Sequence, residues 1–308
     1  MGRNRKGRTV NGWRILDKPS GITSTGAVNK VKWLFEARKA GHGGTLDPIA
    51  TGLLPIAFGE ATKTVSHVMD GTKSYNFTLR WGIATDTDDS EGDPIEHSDV
   101  RPDASSVEQA LTAFRGRIEQ VPPKFSAIKI NGERAYNLAR ADKPVELAAR
   151  EIDVYDIQIA DMPDADHTVF TVRSGKGAYM RSLARDIARA VGALGHVTAL
   201  RRTAVGPFTE SDAISLDELE SFGQIAAREE KLLPVETALD DIPALVVTET
   251  EAALLRNGRA VSLLQKVDLQ RIAQLDQGDT VLARTKAKPI ALVRYAAGEV
   301  KPLRVLNL

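Results

Sequence analysis

Cysteine is absent from the sequence, which excludes disulfide bonds, thiolate metal sites and cysteine nucleophiles. No stretch approaches the roughly 18 consecutive apolar residues that a membrane span needs. The basic start at residues 2–8 is not followed by the apolar segment of a signal peptide. We therefore expect a cytoplasmic protein with no membrane attachment.

Sequence motifs for common cofactor and metal sites are also missing. The chain has no G-x-x-x-x-G-K-[ST] phosphate loop, no G-x-G-x-x-G fingerprint and no H-E-x-x-H pair. Its five histidines are scattered, without the spacing of a zinc site. We expect neither a cofactor nor a metal.

The chain is long enough for two domains, because 308 residues of which 42% are hydrophobic can bury a sizeable core. Beyond about residue 240 the predicted elements become short. Thr248-x-x-Glu251 has the form of a capping box, and strands are predicted at 280–283, 290–294 and 303–306. We predict a larger domain of residues 1–242 and a small, mostly β domain of residues 243–308.

Positive and negative charges are unevenly distributed, although the formal net charge is zero. Ten lysines and arginines precede residue 41, against only Asp17 and Glu36, whereas acidic residues gather in the run Asp86–Asp93. Such a basic segment suits a phosphate backbone, with the acidic run facing solvent. From charge alone, an ordinary solvated surface is an equally good interpretation.

Hydrophobic periodicity predicts both strands and helices in the first 242 residues. Alternation predicts a strand from Tyr75 to Trp81 with Tyr75 at the start of its inner face. Thr23 or Ser24 can cap one helix, and Ser105-x-x-Glu108 has the form of a capping box before another. Further strands are predicted at 13–16, 53–58, 145–147, 152–154 and 169–172, and further helices at 61–69 and 179–191.

Two glycine-rich segments stand out as possible sites. In the first, Asp47 lies between Leu46 and Pro48, and the nearby glycines allow another chain to approach closely. Taken alone, an aspartate beside glycine and proline is more often a turn residue. In the second, Gly175 and Gly177 precede a helix whose first N–H groups favour an anion.

Arginines 181, 185 and 189 recur every fourth residue along that helix, a spacing that by itself favours a solvated face. A bidentate arginine can also keep a partly buried carboxylate ionised. Tyr75, Tyr179 and Leu200 are most simply core residues, and His42 a loop hydrogen-bonder. An aromatic ring at such a rim can also stack on an unpaired base.

Five runs of sequence, in the same order, resemble one known family. Gly41–Leu54, with the sequence GHGGTLDPIATGLL, closely resembles the nucleophile motif of the bacterial TruB family, the tRNA pseudouridine-55 synthases. The others are Leu16–Ser24, Val121–Lys129, Gly177–Leu183 and Leu200–Thr203.

This resemblance implies an α+β fold, in which a catalytic domain is built on a mixed, mainly antiparallel central sheet flanked by helices and loops. A small, mostly β, PUA-like pseudo-barrel that binds RNA follows. The implied activity is isomerisation of uridine 55 in the T-loop of tRNA to pseudouridine. The implied enzyme is a monomer that needs no cofactor, metal or guide RNA.

Carried over by position, the resemblance assigns catalysis to three residues. Asp47 falls on the nucleophile, Tyr75 on a tyrosine that stacks against the target base, and Arg181 on the partner of the aspartate. His42, Tyr179 and Leu200 fall on positions that contact RNA or the flipped nucleotide. Three departures, which touch no catalytic group, are Arg173, Ala178 and Met180, where cysteine, threonine and isoleucine are expected.

The implied reaction needs only a carboxylate nucleophile, because it breaks a glycosidic N–C bond, turns the uracil, forms a C–C bond and removes the proton on C5. The target base must leave its stack, for which His42 is a candidate wedge. Attack by Asp47 on the base and on the sugar both remain open.

Two other functions are considered. One is a non-catalytic module that binds or folds tRNA on the same scaffold, against which the intact Asp47, Tyr75 and Arg181 argue. The other is the guide-RNA-dependent relative of archaea and eukaryotes. The position of the motif near the N-terminus and the absence of a lysine-rich tail favour the bacterial form instead.

Overall fold

The computed structural model describes residues 7–126, 128–130, 132–141 and 143–308. Arg3, Arg5 and Lys6 of the basic N-terminal segment, and Ala127 of the run Val121–Lys129, lie outside the described residues. In the described ranges, no helix is both long and apolar enough to cross a membrane.

Strands and helices of the first 242 residues follow one another in the order β1 (Gly12–Lys18), α1 (Ser24–Leu34), β2 (Ala40–His42), β3 (Thr51–Phe58), α2 (Val65–Asp70), β4 (Lys73–Trp81), β5 (Ile83–Thr85), β6 (Pro94–His97), α3 (Ala104–Leu111), β7 (Gly116–Gln120), β8 (Lys129–Ile130), β9 (Glu133–Arg134), α4 (Ala135–Arg140), β10 (Arg150–Asp164), β11 (His167–Ser174), α5 (Met180–Ala190), β12 (Gly195–Val205), β13 (Phe208–Thr209), β14 (Ala213–Ile214), α6 (Leu216–Ser221) and α7 (Ile225–Glu229).

The remaining strands and helices are β15 (Ala244–Val246), α8 (Glu249–Arg256), β16 (Val261–Ser262), α9 (Leu269–Ile272), β17 (Thr280–Arg284), β18 (Pro289–Ala296) and β19 (Glu299–Val305). Short 3-10 helices occur at Gly59–Lys63, Thr112–Phe114, Glu210–Asp212, Val235–Leu239 and Lys266–Asp268.

A mixed, mainly antiparallel sheet forms the centre of the molecule. Its strand order is β14-β1-β3-β12-β4-β11-β10-β7, with β2 paired to β3 and β13 to β12. The β1–β14 and β3–β12 pairs are parallel, and the other pairs are antiparallel. The predicted α+β class and sheet type are confirmed.

Hydrophobic side chains cover this sheet unequally. Leu54 and Ile56 of β3 enter a core built with helices α1, α3 and α5, whereas Leu53 and Ala57 enter a second core on the opposite face. The edge formed by β4, β11 and β10 is different, because polar side chains such as Asn76 lie exposed on its second face. The helices therefore bury one face, and α5 lies against the strands that carry the candidate site.

A second, smaller sheet has the order β15-β17-β18-β19-β16. The capping box is present at Thr248 and Glu251, and α8 ends before Gly258, which has a φ of 75°. Side chains of Leu282, Leu292 and Leu306 enter the second core of the central sheet. The predicted small β unit is confirmed, and it packs against the back of the larger one.

Two local predictions are wrong and one needs revision. Residues 145–147 form no strand. Helix α3 is capped by Asp103, whose carboxylate accepts from Ser106 N at 2.8 Å, and Ser105 lies inside the helix. The helix predicted at 61–69 is divided at Thr64 into a 3-10 turn and α2.

The basic residues before residue 41 are only partly exposed at the protein surface. Arg14 is buried and donates from Nη1 to Lys231 O at 2.6 Å, and Lys18 is buried as well. Both cations donate hydrogen bonds to backbone carbonyls inside the protein, so they are not available to contact a phosphate backbone.

A buried hydrogen bond between β4 and β11 gives a test of the sheet. Trp81 Nε1 donates to Thr168 Oγ1 at 2.9 Å, and both residues are fully buried. Thr168→Val leaves the indole N–H without an acceptor, so we expect the free energy of unfolding in urea to fall by about 1–3 kcal/mol. Thr171→Val is the matched control, because its hydroxyl bond to Asn76 is exposed, and it should cost less than about 0.5 kcal/mol. Equal losses would contradict the prediction.

Candidate active site

Asp47 lies in the loop of residues 43–50, between β2 and β3. At the first residue of α1, Ser24 Oγ donates to Leu46 O at 2.9 Å and accepts from Leu46 N at 2.8 Å. Ala50 N donates to Asp47 O at 3.1 Å. The backbone is therefore fixed on both sides of the carboxylate. Thr23 is the residue that caps α1, which leaves Ser24 available for the loop.

A buried arginine of the central sheet also supports this loop. Arg202, on β12, donates from Nε to Leu53 O at 2.8 Å, from Nη2 to Gly44 O at 3.0 Å and from Nη1 to Thr45 O at 3.4 Å. It also interacts with the hydroxyl of Tyr75, and burial lowers the pKa of Arg202. Gly44 has a φ of 134°, a backbone conformation that other residues rarely adopt, so this position in the loop favours glycine.

A buried lysine connects the loop to the turn that precedes α1. Lys18 Nζ donates to Pro19 O at 2.8 Å, to Ile22 O at 2.9 Å and to Pro48 O at 3.2 Å. Burial lowers the pKa of Lys18 to about 8, and the charge of Asp47 acts against this shift. The loop is thus held by carbonyl contacts, and none of these contacts uses the Asp47 carboxylate.

Arg181, in the first turn of α5, forms a bidentate ion pair with Asp47. Its Nε lies 2.9 Å from Asp47 Oδ2, and its Nη2 lies 3.0 Å from Oδ1. The guanidinium also donates to Thr87 O and Phe125 O, each at 2.9 Å, and its Nη1 lies 3.5 Å from Asp89 Oδ2. The Arg181 side chain is 4% exposed and the Asp47 side chain 30% exposed. The carboxylate is therefore fixed in orientation but still reachable.

These contacts overturn two interpretations of charge. Arg181 is buried and does not belong to a solvated face, and Arg185 Nη1 lies 2.8 Å from Asp88 Oδ2. The acidic run Asp86–Asp93 does not simply face solvent, because Asp88 and Asp89 turn inward to these arginines. Burial raises the pKa of Asp88, and Arg185 opposes that shift.

A cavity of about 270 Å³ brings four of the predicted site residues together: Asp47, Tyr75, Tyr179 and Leu200. Tyr75 comes from β4, Leu200 from β12, and Tyr179 from the residue before α5. Gln120 holds the backbone of Tyr179, since its Oε1 accepts from Tyr179 N at 2.9 Å and its Nε2 donates to Tyr179 O at 3.1 Å. Burial raises the pKa of Tyr179.

His42 is not among the residues that line this cavity; it lines a wider cavity of about 780 Å³ that is also lined by Asp47 and Arg181. Burial lowers the pKa of His42, and the charge of Arg202 lowers it further. The ring is therefore neutral at pH 7. Its Nδ1 atom is buried and has no hydrogen-bond partner among the residues that the structure describes.

The loop of Gly175–Gly177, predicted to favour an anion, forms part of the wall of the smaller cavity. Lys176 Nζ lies 2.9 Å from Asp70 Oδ1. The anion preference stays a prediction.

Sequence reasoning did not single out the residues that hold the site in place. Lys18 and Arg202 lie in runs that resemble the family, and Asp89 lies in the acidic run. No local sequence pattern indicates that these three residues are buried. The contacts come from Lys18, Ser24, Asp89, Gln120 and Arg202.

Two buried lysines give a pH test with a defined sign. Burial lowers the pKa of both Lys18 and Lys73 to about 8, whereas an unfolded chain titrates near 10.4. Between those values the unfolded state binds more protons, so the free energy of unfolding should rise with pH, by up to about 1.4 kcal/mol per unit for each lysine.

Lys18→Met should therefore reduce the rise between pH 8 and pH 10 in urea unfolding, and Lys73→Met should reduce it similarly. Lys63→Met is the control, because Lys63 is a partly exposed lysine with an ion pair to Glu60. A slope in either buried-lysine variant equal to that of the wild type would contradict the assigned pKa of that lysine.

Comparison with known proteins identifies the family. The model of the TruB family pseudouridylate synthase N-terminal domain matches residues 32–180. The model of the tRNA pseudouridylate synthase B C-terminal domain matches residues 181–240. The two matches meet between Met180 and Arg181, at the start of α5, so the Asp47–Arg181 ion pair joins the two matched regions.

Curated relatives match along the whole chain. The tRNA pseudouridine synthase B of Rhodospirillum rubrum is 54% identical over 308 residues, which is 100% of each chain. That of Caulobacter vibrioides is 52% identical over 309 residues, again 100% of each chain.

Solved structures share the fold. A chain of the crystal structure of a Cbf5-Nop10-Gar1 complex has a TM-score of 0.73 and 27% identity, covering 96% of this chain and 84% of that one. A chain of an archaeal box H/ACA sRNP Nop10-Cbf5 complex has a TM-score of 0.72 and 24% identity, covering 99% and 92%. The matched models and the full-length relatives show that the chain belongs to the TruB family of pseudouridylate synthases.

Proposed function

We propose that this protein isomerises uridine 55 in the T-loop of tRNA to pseudouridine, with Asp47 as the nucleophile. One observation carries the proposal: the carboxylate of Asp47 is held by a bidentate arginine at the wall of a cavity that two tyrosines line. Full-length similarity to proteins named tRNA pseudouridine synthase B supports the substrate class.

The geometry suits a covalent nucleophile. Arg181 supplies a permanent positive charge at hydrogen-bond distance, which orients the carboxylate and balances its negative charge. Attack by Asp47 on the base or on the sugar lets the glycosidic N–C bond break, the uracil turn and a C–C bond form. Release of Asp47, loss of the C5 proton to solvent and uptake of a proton at N1 of the uracil then complete the isomerisation and return the enzyme unchanged. The reaction is an isomerisation and needs no oxidant or reductant.

The cavity walls have roles that follow from their chemistry. A uridine must be unstacked to reach a carboxylate at this depth. Tyr75 can stack against its ring, and Tyr179 and Leu200 line the same cavity. His42 is a neutral ring of suitable size to fill the place that the base leaves.

RNA contacts away from the cavity are assigned to the C-terminal unit. Residues 1–242 form the catalytic domain, with its basic N-terminal arm, and residues 243–308 form a PUA-like domain that contacts the tRNA. The enzyme acts in the cytoplasm as a monomer, without a guide RNA.

The first test replaces the nucleophile. Asp47→Asn keeps the size of the side chain but removes its charge, so tritium release from tRNA carrying [5-³H]uridine should fall below detection, while the Kd for tRNA changes little. Asp17→Asn is the matched control, because Asp17 also forms a bidentate ion pair, with Arg201 at 2.9 and 3.0 Å, and has a similar side-chain exposure of 34%. It should retain activity.

Full activity of Asp47→Asn would refute the assignment of the nucleophile. A wild-type protein that binds and refolds tRNA but releases no tritium would instead favour the non-catalytic RNA-binding function.

The second test concerns the position in the substrate. An unmodified tRNA transcript should acquire one pseudouridine at position 55, and a transcript with cytidine there should acquire none. Chemical mapping of pseudouridine by primer extension reads the position directly. A product at another uridine, or a requirement for an added guide RNA, would contradict the proposal.

A further inference from the structure

An exposed aromatic ring beside the cavity has no role in the proposed reaction. Tyr155 lies at a bulge in β10, between Val154, which pairs with Ser174, and Asp156, which pairs with Arg173. Its side chain is exposed, with 50% of the residue accessible, and the guanidinium carbon of Arg173 lies 5.3 Å from the ring centroid. This is within the roughly 6 Å of a cation–π contact. We call these two side chains the Tyr155–Arg173 platform.

The platform adjoins the loop that lines the cavity. The N–H of Gly175 donates to Asp153 O at 2.8 Å, and a Cβ placed on Gly175 would lie 3.3 Å from the Tyr155 hydroxyl oxygen. Gly175 and Gly177 line the cavity that holds Asp47. The width of one loop therefore separates the platform from the cavity.

Positive charge is available on the platform. Arg117 contacts Asp153 at 3.5 Å and Lys176 contacts Asp70 at 2.9 Å, so the charges of these two neighbours are partly offset. Within the ranges that the structure describes, Arg173 forms no ion pair, although Asp156 is its cross-strand neighbour on β10, and its guanidinium contacts the ring of Tyr155. A phosphate at this position would give Arg173 an ion pair.

We propose that the Tyr155–Arg173 platform binds an unpaired nucleotide that flanks the one in the cavity. The base stacks on the Tyr155 ring, and the phosphate contacts the Arg173 guanidinium. An RNA whose uridine enters the cavity must run across the rim of the cavity. Proteins commonly bind single-stranded RNA by stacking a base on an aromatic ring and contacting a phosphate with a nearby cation. The inference rests on the proposed function, because it takes RNA as the substrate.

The test compares the platform with a second exposed cation–π pair on the same protein. Lys30 lies 5.4 Å from the ring centroid of Trp33 on α1, and Trp33 is 70% exposed. The platform variants are Tyr155→Leu, Tyr155→Phe and Arg173→Met, and the control variants are Trp33→Leu and Lys30→Met. The Kd for an unmodified tRNA transcript is measured at several salt concentrations, and kcat is measured by tritium release at saturating tRNA.

Loss of the stacked ring should raise the Kd of Tyr155→Leu roughly 5- to 150-fold, while Tyr155→Phe, which keeps the ring, stays within about twofold of the wild type. Loss of one phosphate contact in Arg173→Met should reduce the slope of log K against log salt by about 0.7. We expect kcat at saturating tRNA to be unchanged, because neither side chain contacts the reacting atoms. Both control variants should bind as the wild type does.

The inference is overturned if Tyr155→Leu and Arg173→Met bind tRNA with the wild-type Kd and salt slope, or if the α1 variants lose as much affinity. Failure of the proposed function is a separate result, since a wild-type protein that releases no tritium refutes that function whatever its Kd. A wild type that isomerises uridine while Tyr155→Leu binds normally refutes the platform alone.

Discussion

A bidentate ion pair between Asp47 and Arg181 is the contact on which the rest of the site depends. A guanidinium as buried as that of Arg181 costs free energy unless its N–H groups find acceptors. Asp47 supplies two of these acceptors, and Thr87, Phe125 and Asp89 supply the others. Three separate segments of the chain must therefore meet α5 around one side chain, and any shift of α5 would move the carboxylate.

The cations beneath the loop are satisfied in a different way. Arg202 and Lys18 donate to backbone carbonyls, with no carboxylate among the partners described above. Such contacts fix the backbone of the loop without drawing the Asp47 carboxylate towards a second cation. Arg181 is thus left to set the direction of the carboxylate, and the face of the carboxylate that remains exposed opens on the cavity. Lys18 and Arg202 therefore support the loop, whereas Arg181 orients the reactive carboxylate.

Sequence predicted the parts of the fold that depend on local periodicity, such as the strand from Tyr75 to Trp81. It failed where local signals compete or where the partner is distant. Asp103 and Ser105 are both good helix caps two residues apart, and nothing local selects between them. The spacing of Arg181, Arg185 and Arg189 favours a solvated face, because the groups that bury Arg181 lie up to 134 residues away. The residues of the candidate site came from a resemblance of ordered motifs, whereas their supporting contacts required the fold.

Net charge is a poor guide to how this protein meets a polyanion. Four of the cations are buried and donate hydrogen bonds to acceptors inside the protein: Arg14, Lys18, Arg181 and Arg202. The surface therefore has less positive charge than the sequence suggests. Under the proposed function, a general positive field is then a weaker source of affinity for RNA than the sequence suggests. Recognition would depend more on individual exposed cations placed beside rings and beside the cavity. Such a site would be selective for RNA shape, because a few localised contacts can form only with a strand that bends into the cavity. A general positive field would instead attract any chain of phosphates.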